Sequence, residues 1–297
     1  MSNDAPAPDS QAPARTPRLP RYAALTPGRG GQPRLLVDAP AASAEIYLHG
    51  AHLTSWVPRG GTEVIFTSAQ AVFDGAKAIR GGIPLCLPWF GAGPDGDQKP
   101  AHGWGRTSTW ELRSASTTPE GGVRVLLGIE RHDLSALYEV NVGEELDLLL
   151  SLRSTAASGQ RVEAALHTYL AVGDVTAVEV TGLEGGQYLD KLTATHEVQT
   201  GALRVSGPVD RVYEHQGPVM VTDPALGRRL TIAGADAPNV VVWNPWSEGA
   251  KAFADMGDAE FASMLCVESA SVGAHAVTLG PGESWSLGTR ISVEPLD

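Results

Sequence analysis

Apolar and polar positions alternate in short runs along most of this chain. "RLLVDA" (34–39), "AEIYLH" (44–49), "EVIFTS" (63–68), "VRVLLGIE" (123–130), "VMVTDP" (219–224), "RLTIAG" (229–234) and "NVVVWNP" (239–245) are all strand-length and rich in Val, Ile, Leu and Thr. Their period of two, with Gly, Pro, Asp and Asn between them, predicts β-strands. The stretch "YEVNVGEELDLLLSLRST" (138–155) predicts a hairpin turning near Gly143-Glu144. No window holds a sustained helical period, so helix is expected only in short pieces such as "SALYE" and "DPALG". Strands at this density, without helices between them, predict an all-β fold: a large antiparallel β-sandwich with few short helices.

Composition narrows the picture. The chain has 297 residues, of which 42% are hydrophobic and 19% charged, as in a globular protein. All-β domains of roughly 200–250 residues are common as single units, and one domain over 26–297 is expected. The first 25 residues, rich in Pro and Ala, are expected to be a disordered tail. They lack the apolar segment of a signal peptide, and no run reaches the roughly 20 apolar residues of a membrane span. The net charge of -12 repels nucleic acid and anionic membrane, so any anionic ligand must be held locally by Arg or Lys. The two cysteines, Cys86 and Cys266, sit in apolar runs; buried thiols in a reducing cytoplasm are expected, not a disulfide scaffold. No Cys/His cluster has zinc spacing, so a metal site is not expected.

Candidate chemistry lies where polar groups interrupt apolar runs. In "VEAALHTYLAV" (162–172), His167 stands mid-strand with Ala165 and Tyr169 on its face. It is either a core histidine with a hydrogen-bond partner or a proton donor facing a ligand. In "SMLCVESA" (263–270), Glu268 follows Met264 and Cys266 on one face. A carboxyl group there is costly unless paired, and burial would raise its pKa toward that of a general base; alternatively the strand ends there and the side chain reaches solvent. Arg80 precedes Gly81-Gly82, which permit a sharp turn and close approach. The Gly-rich loop "AHGWGR" (101–106) carries His102, Trp104 and Arg106, and "PVDRVYEHQG" carries Asp210 beside Arg211. Trp243 and Trp246 are candidates for stacking on a sugar or for core packing. Two long loops, 90–106 and 244–260, are expected at the rim of a groove.

Taken in order, "IRGGIPLCLPWFG", "HGWGRTSTWEL", "ALHTYLAVGD", "VDRVYEHQG", "VVWNPW", "FADMGD" and "LCVESA" resemble the glucose-6-phosphate 1-epimerase (hexose-6-phosphate mutarotase) branch of the aldose 1-epimerase superfamily, from about residue 45 to the C-terminus. The resemblance implies a galactose mutarotase-like sandwich that interconverts the anomers of a hexose 6-phosphate without metal or cofactor. It implies that His167 and Glu268 are catalytic, that Arg80 and Arg106 hold the phosphate, and that Asp210 binds substrate; His102 is a further candidate contact. The partner implied is a small sugar phosphate, and a cytoplasmic monomer is expected. The family often has Gln where this chain has Ala101, which removes an amide hydrogen-bonder. His167 is expected to donate a proton to the ring oxygen and Glu268 to take one from the anomeric hydroxyl, from opposite sides of one sugar-sized hollow. Rival readings are a non-catalytic carbohydrate-binding sandwich, an epimerase of unphosphorylated sugar, and a glycoside hydrolase with Asp210 or Asp255 as second carboxylate.

Overall fold

The computed structural model describes residues 17–296. Alternation is realised most cleanly in the predicted hairpin, Leu134–Val142 and Leu146–Ser154, which turns at Gly143–Glu145. Leu134, Ala136, Tyr138, Val140 and Val142 point inward on one strand, and Leu146, Leu148, Leu150 and Leu152 on the other. This hairpin lies within a nine-stranded sheet. An eight-stranded sheet packs against it, ordered Thr195–Val198, Gln187–Asp190, Val209–Glu214, Asn239–Asn244, Met264–Ser271, Ala164–Leu166 with Tyr169–Ala171, then Leu85–Cys86. All ladders between the strands of these sheets are antiparallel. A four-stranded meander, Ala23–Pro27 to His52–Pro58, adds to the assembly.

The strand Met264–Ser271 is buried along its whole length, because both its faces are covered. Leu265 and Val267 join the large core between the sheets. Met264, Cys266, Glu268 and Ala270 point the other way, where smaller clusters form around Tyr169, Phe66 and Met256 and around Cys86, Ala165 and Val241. Its neighbours divide in the same manner: Val240 and Val242 face the large core, while Val241 and Trp243 face away. This outer face of the eight-stranded sheet carries the candidate site.

Three local expectations are corrected. "EVIFTS" forms only isolated bridges, Ile65 to Leu170 and Thr67 to Gly81, because Glu63 caps the local backbone by accepting from the amides of Val64 and Ile65. "SALYE" is strand and "DPALG" a turn; the one α-helix among the described residues is Trp246–Lys251, inside the second long loop. The expected tail, 1–25, lies outside the described residues as far as 16, but its end is ordered. Leu19, Tyr22 and Ala23 pack on the core, and Ala23 and Ala24 pair with Val37 and Leu36.

Gly81 and Gly82 take φ of 98° and 67°, a region that favours glycine. What approaches them is not a ligand but the fold itself: a Cβ on either would lie 2.5 Å from a carbonyl oxygen, that of Phe66 or of Leu53. Gly82→Ala should therefore lower stability by at least about 1–3 kcal/mol, read as a drop in the urea midpoint. An unchanged midpoint would show that this turn relaxes freely.

Candidate functional site

The site follows from strand register. Ala164, Ala165 and Leu166 pair with Ser271, Ala270 and Ser269, and after a two-residue gap Tyr169 and Leu170 pair with Cys266 and Leu265. Both segments keep one register, and the gap is bridged by the Val267 amide donating to the Thr168 carbonyl at 3.1 Å. His167 therefore stands directly across from Glu268, at cross-strand neighbour distance. The same logic extends outward: Glu268 is beside Val241, Cys266 beside Trp243, and Trp243 beside Asp210. Lys191, whose amide donates to the Asp210 carbonyl at 2.8 Å, completes that row.

Of these, His167, Glu268, Val241, Trp243, Asp210 and Lys191 floor a hollow of about 410 Å³ lined also by Lys77, Arg80, Phe90, Ala101, His102, Arg106, Phe253 and Asp255, within the roughly 300–1,000 Å³ of small-molecule sites. The first long loop supplies Phe90, Ala101, His102 and Arg106, and the second supplies Phe253 and Asp255, so both stand at the rim as expected. Asn244 anchors the second loop, accepting from the Trp246 amide at 2.8 Å and donating to the Met264 carbonyl at 2.8 Å. A neighbouring groove of about 520 Å³ shares Phe90 and Lys191 but contains neither His167 nor Glu268, which makes the smaller hollow the chemical one.

All six sequence candidates line the hollow: His167, Glu268, Arg80, Arg106, Asp210 and His102. Trp243 does too, whereas Trp246 stacks on Phe261 and Trp104 packs in the core. The arrangement of the central pair differs from expectation. His167 Nδ1 lies 3.3 Å from Glu268 Oε1, so the two are side by side on one floor, not opposed across it. The contact is not aligned as a hydrogen bond: His167 Nδ1 and Glu268 Oε2 are both buried without a hydrogen-bond partner. The His167 ring is held by stacking on Tyr169, 4.9 Å away at 12°, with Trp243 and His102 edge-on.

Burial sets the protonation of this floor. Desolvation holds the Glu268 carboxyl well above its ordinary pKa, and the nearby Asp210 charge adds to that. Desolvation, then His102 and the two arginines, holds His167 well below its own. Burial therefore disfavours both the carboxylate and the imidazolium of this pair. His102 is pushed down to about 3, chiefly by burial; its Nδ1 faces the Cys86 thiol at 3.4 Å and accepts from the Gly91 amide at 3.3 Å.

The cations around the hollow are not equivalent. Arg80 donates to Asp255 at 3.0 Å and lies 4.2 Å over the Phe253 ring. Lys191 pairs with Asp210 at 3.3 Å. Among the described residues no carboxylate pairs with Arg106 or Lys77. Arg106 donates to the Ala101 carbonyl at 2.9 Å, and its buried Nε has no partner. With Lys77 it is left free to meet an anion. Sequence reasoning missed Lys191, Phe90 and Phe253, since nothing local marks them; only the register places Lys191 beside Asp210.

The described residues include no helix long and apolar enough to cross a membrane. The profile of the aldose 1-epimerase family matches residues 33–292. Two relatives bear the name "putative glucose-6-phosphate 1-epimerase". One, from Cenchrus ciliaris, is 36% identical over 85% of this chain and 82% of its own length. The other, from Escherichia coli K12, is 35% identical over 80% and 82%. The crystal structure of a mutarotase so designated in Salmonella typhimurium superposes with a TM-score of 0.87 at 28% identity, covering 94% of this chain and 96% of that one. A galactose mutarotase-like protein from Clostridium acetobutylicum, at 13% identity and a TM-score of 0.71 over 93% and 99%, shares the fold. The sandwich is thus the galactose mutarotase-like one that the sequence motifs implied.

The Glu268 geometry predicts a stability signature. The unfolded chain releases this proton near the ordinary 4.5, while the folded chain keeps it. Above that pH the unfolded state binds fewer protons, so folding stability falls as pH rises. Relative to the parent protein, Glu268→Gln should therefore gain stability progressively above pH 4.5 and gain none below it, as read from urea midpoints along a pH series. A relative loss with rising pH would mean that the folded carboxyl is ionised.

Proposed function

The chain belongs to the aldose 1-epimerase family of sugar isomerases, and from that premise we propose that it interconverts the α and β anomers of an aldohexose 6-phosphate such as glucose 6-phosphate. The observation that carries this reading is the His167–Glu268 contact on the floor of a hollow whose rim holds an unpaired arginine.

Mutarotation opens the pyranose, rotates the C1 end and recloses it. Opening requires one proton delivered to the ring oxygen and one removed from the anomeric hydroxyl. Both oxygens are bonded to the same carbon, so an acid and a base standing side by side can serve them; they need not face each other across the ring. The pair shares one transferable proton, with His167 giving a proton to the ring oxygen and Glu268 taking one from the anomeric hydroxyl, the two standing side by side on the floor. Closure on the other face of C1 returns each proton. The proton count of the pair never changes, so no nucleophile or external acid is consumed. Each group contributes roughly 10²–10⁴-fold. The Arg106 guanidinium binds the 6-phosphate with its planar fork; Asp210 and His102 meet sugar hydroxyls, and Arg80, already engaged by Asp255, adds positive potential.

Anomer exchange of glucose 6-phosphate, followed by NMR, tests the pair. His167→Ala and Glu268→Ala should each slow exchange by about 10²–10⁴-fold with the fold retained by circular dichroism; full activity in either ends the assignment, and binding without exchange in the parent protein would leave a carbohydrate-binding module. Arg106→Leu tests the phosphate: KM for glucose 6-phosphate should rise while exchange of glucose itself is unchanged. Equal loss on both sugars would place the phosphate elsewhere.

A further inference from the structure

Against the floor of the hollow lies a buried thiol, Cys266, that acid–base chemistry leaves unused. His167, Cys266 and Glu268 bring an imidazole nitrogen, a thiol sulfur and a carboxyl oxygen within 4.8 Å of one another, all three residues being buried. Among the described residues no other such trio converges this closely. The register explains it. Cys266 and Glu268 are two apart on one strand and share its outer face, while His167 stands across from Glu268 and Tyr169 across from Cys266. Two of the polar atoms involved, His167 Nδ1 and Glu268 Oε2, are buried without a hydrogen-bond partner. A buried orphan of this kind costs about 1–3 kcal/mol and is relieved by whatever fills the gap.

We propose that His167, Cys266 and Glu268 form a site for a soft divalent cation, Zn²⁺ or Cd²⁺, whose occupancy blocks the floor of the hollow. Zinc bonds of about 2.0–2.3 Å in a tetrahedron put neighbouring ligand atoms roughly 3.3–3.8 Å apart. The His167–Glu268 separation of 3.3 Å is already there, and the sulfur lies within 4.8 Å of the other two donors. Charge balances as well: a divalent ion, a thiolate, a carboxylate and a neutral imidazole sum to zero, the state a desolvated site accepts. Binding forms three metal–ligand bonds and sends the thiol and carboxyl protons to solvent, without oxidation or reduction. The fourth position faces the hollow and takes water or a sugar hydroxyl. Sulfur and nitrogen ligands select zinc or cadmium over Mg²⁺ and Ca²⁺, which prefer oxygen cages. An ion here occupies both groups that move the proton, so it inhibits in competition with substrate. That inhibition rests on the proposed acid–base reading; the binding does not.

The test uses the full chain freed of metal by a chelator. Titration with Cd²⁺ should produce the ultraviolet charge-transfer band of a thiolate–cadmium bond at one equivalent, and Zn²⁺ should bind in calorimetry with the same stoichiometry. Cys266→Ala should lose the band, bind Zn²⁺ at least about 10–100-fold more weakly, keep basal anomer exchange and resist Zn²⁺ inhibition; Cys266→Ser serves if the alanine variant folds poorly. Mg²⁺ should have no effect. No band in the parent protein, or Zn²⁺ binding equally tight without Cys266, overturns the proposal; a band that survives Cys266→Ala also overturns it and assigns the metal to Cys86, which lies beside His102. If the band forms but the parent protein exchanges no anomers, the acid–base reading fails and the metal site stands.

Discussion

The site depends on one ladder, the pairing of Ala164–Ala171 with Met264–Ser271. Side chains on a strand alternate between faces, so a slip of one residue would turn His167 or Glu268 into the core between the sheets. The slip is resisted from that side. Leu166, Leu170, Leu265 and Val267 are all fully buried there, and exchanging them for an imidazole and a carboxyl would bury polar groups among two sheets' worth of aliphatic side chains. The apolar face therefore fixes the register, and the register fixes the chemistry on the opposite face. Because the strands on either side obey the same rule, Asp210, Trp243 and Lys191 fall into place across the floor without separate devices.

The same ladder explains why the floor is strained in electrostatic terms. A cross-strand His–Glu pair on a surface would form a modest ion pair. Here burial disfavours both charges, and the contact lacks hydrogen-bond alignment, so the polar atoms of the pair are left unmatched. A substrate with two oxygens on one carbon supplies what is missing. The floor gives up folding free energy in order to keep an acid and a base unsolvated and ready, and Glu268 is the residue through which that cost varies with pH.

Much of the fold was legible because its signal is periodic. The hairpin around Gly143 and the strands at 34–39, 123–130, 219–224, 229–234 and 239–245 all form close to their expected bounds. "EVIFTS" was misleading because a strand-like run is not enough when a glutamate within it captures the neighbouring amides. The order of residues 17–25 was not legible because Leu19 and Tyr22 are apolar residues dispersed among prolines, which composition averages away. In the site, His167 and Glu268 were visible as polar residues on apolar stripes. Their side-by-side placement was not, because register belongs to a pair of strands and cannot be read from either one. For the same reason the linear spacing of Cys and His carried no sign that Cys266 and His167 converge.

The charges show a similar division between what the whole chain does and what a few residues do. A net charge of -12 opposes the approach of any phosphate, yet the hollow contains Lys77, Arg80, Arg106 and Lys191 against two aspartates, Asp210 and Asp255. Ion pairing removes Arg80 and Lys191 from the balance as fixed structural elements, Arg80 bracing the second loop and Lys191 holding Asp210. What remains is an excess of positive charge concentrated at Arg106 and Lys77. Burial of the Glu268 carboxyl works in the same direction: by disfavouring the carboxylate it leaves the field of the arginine less opposed.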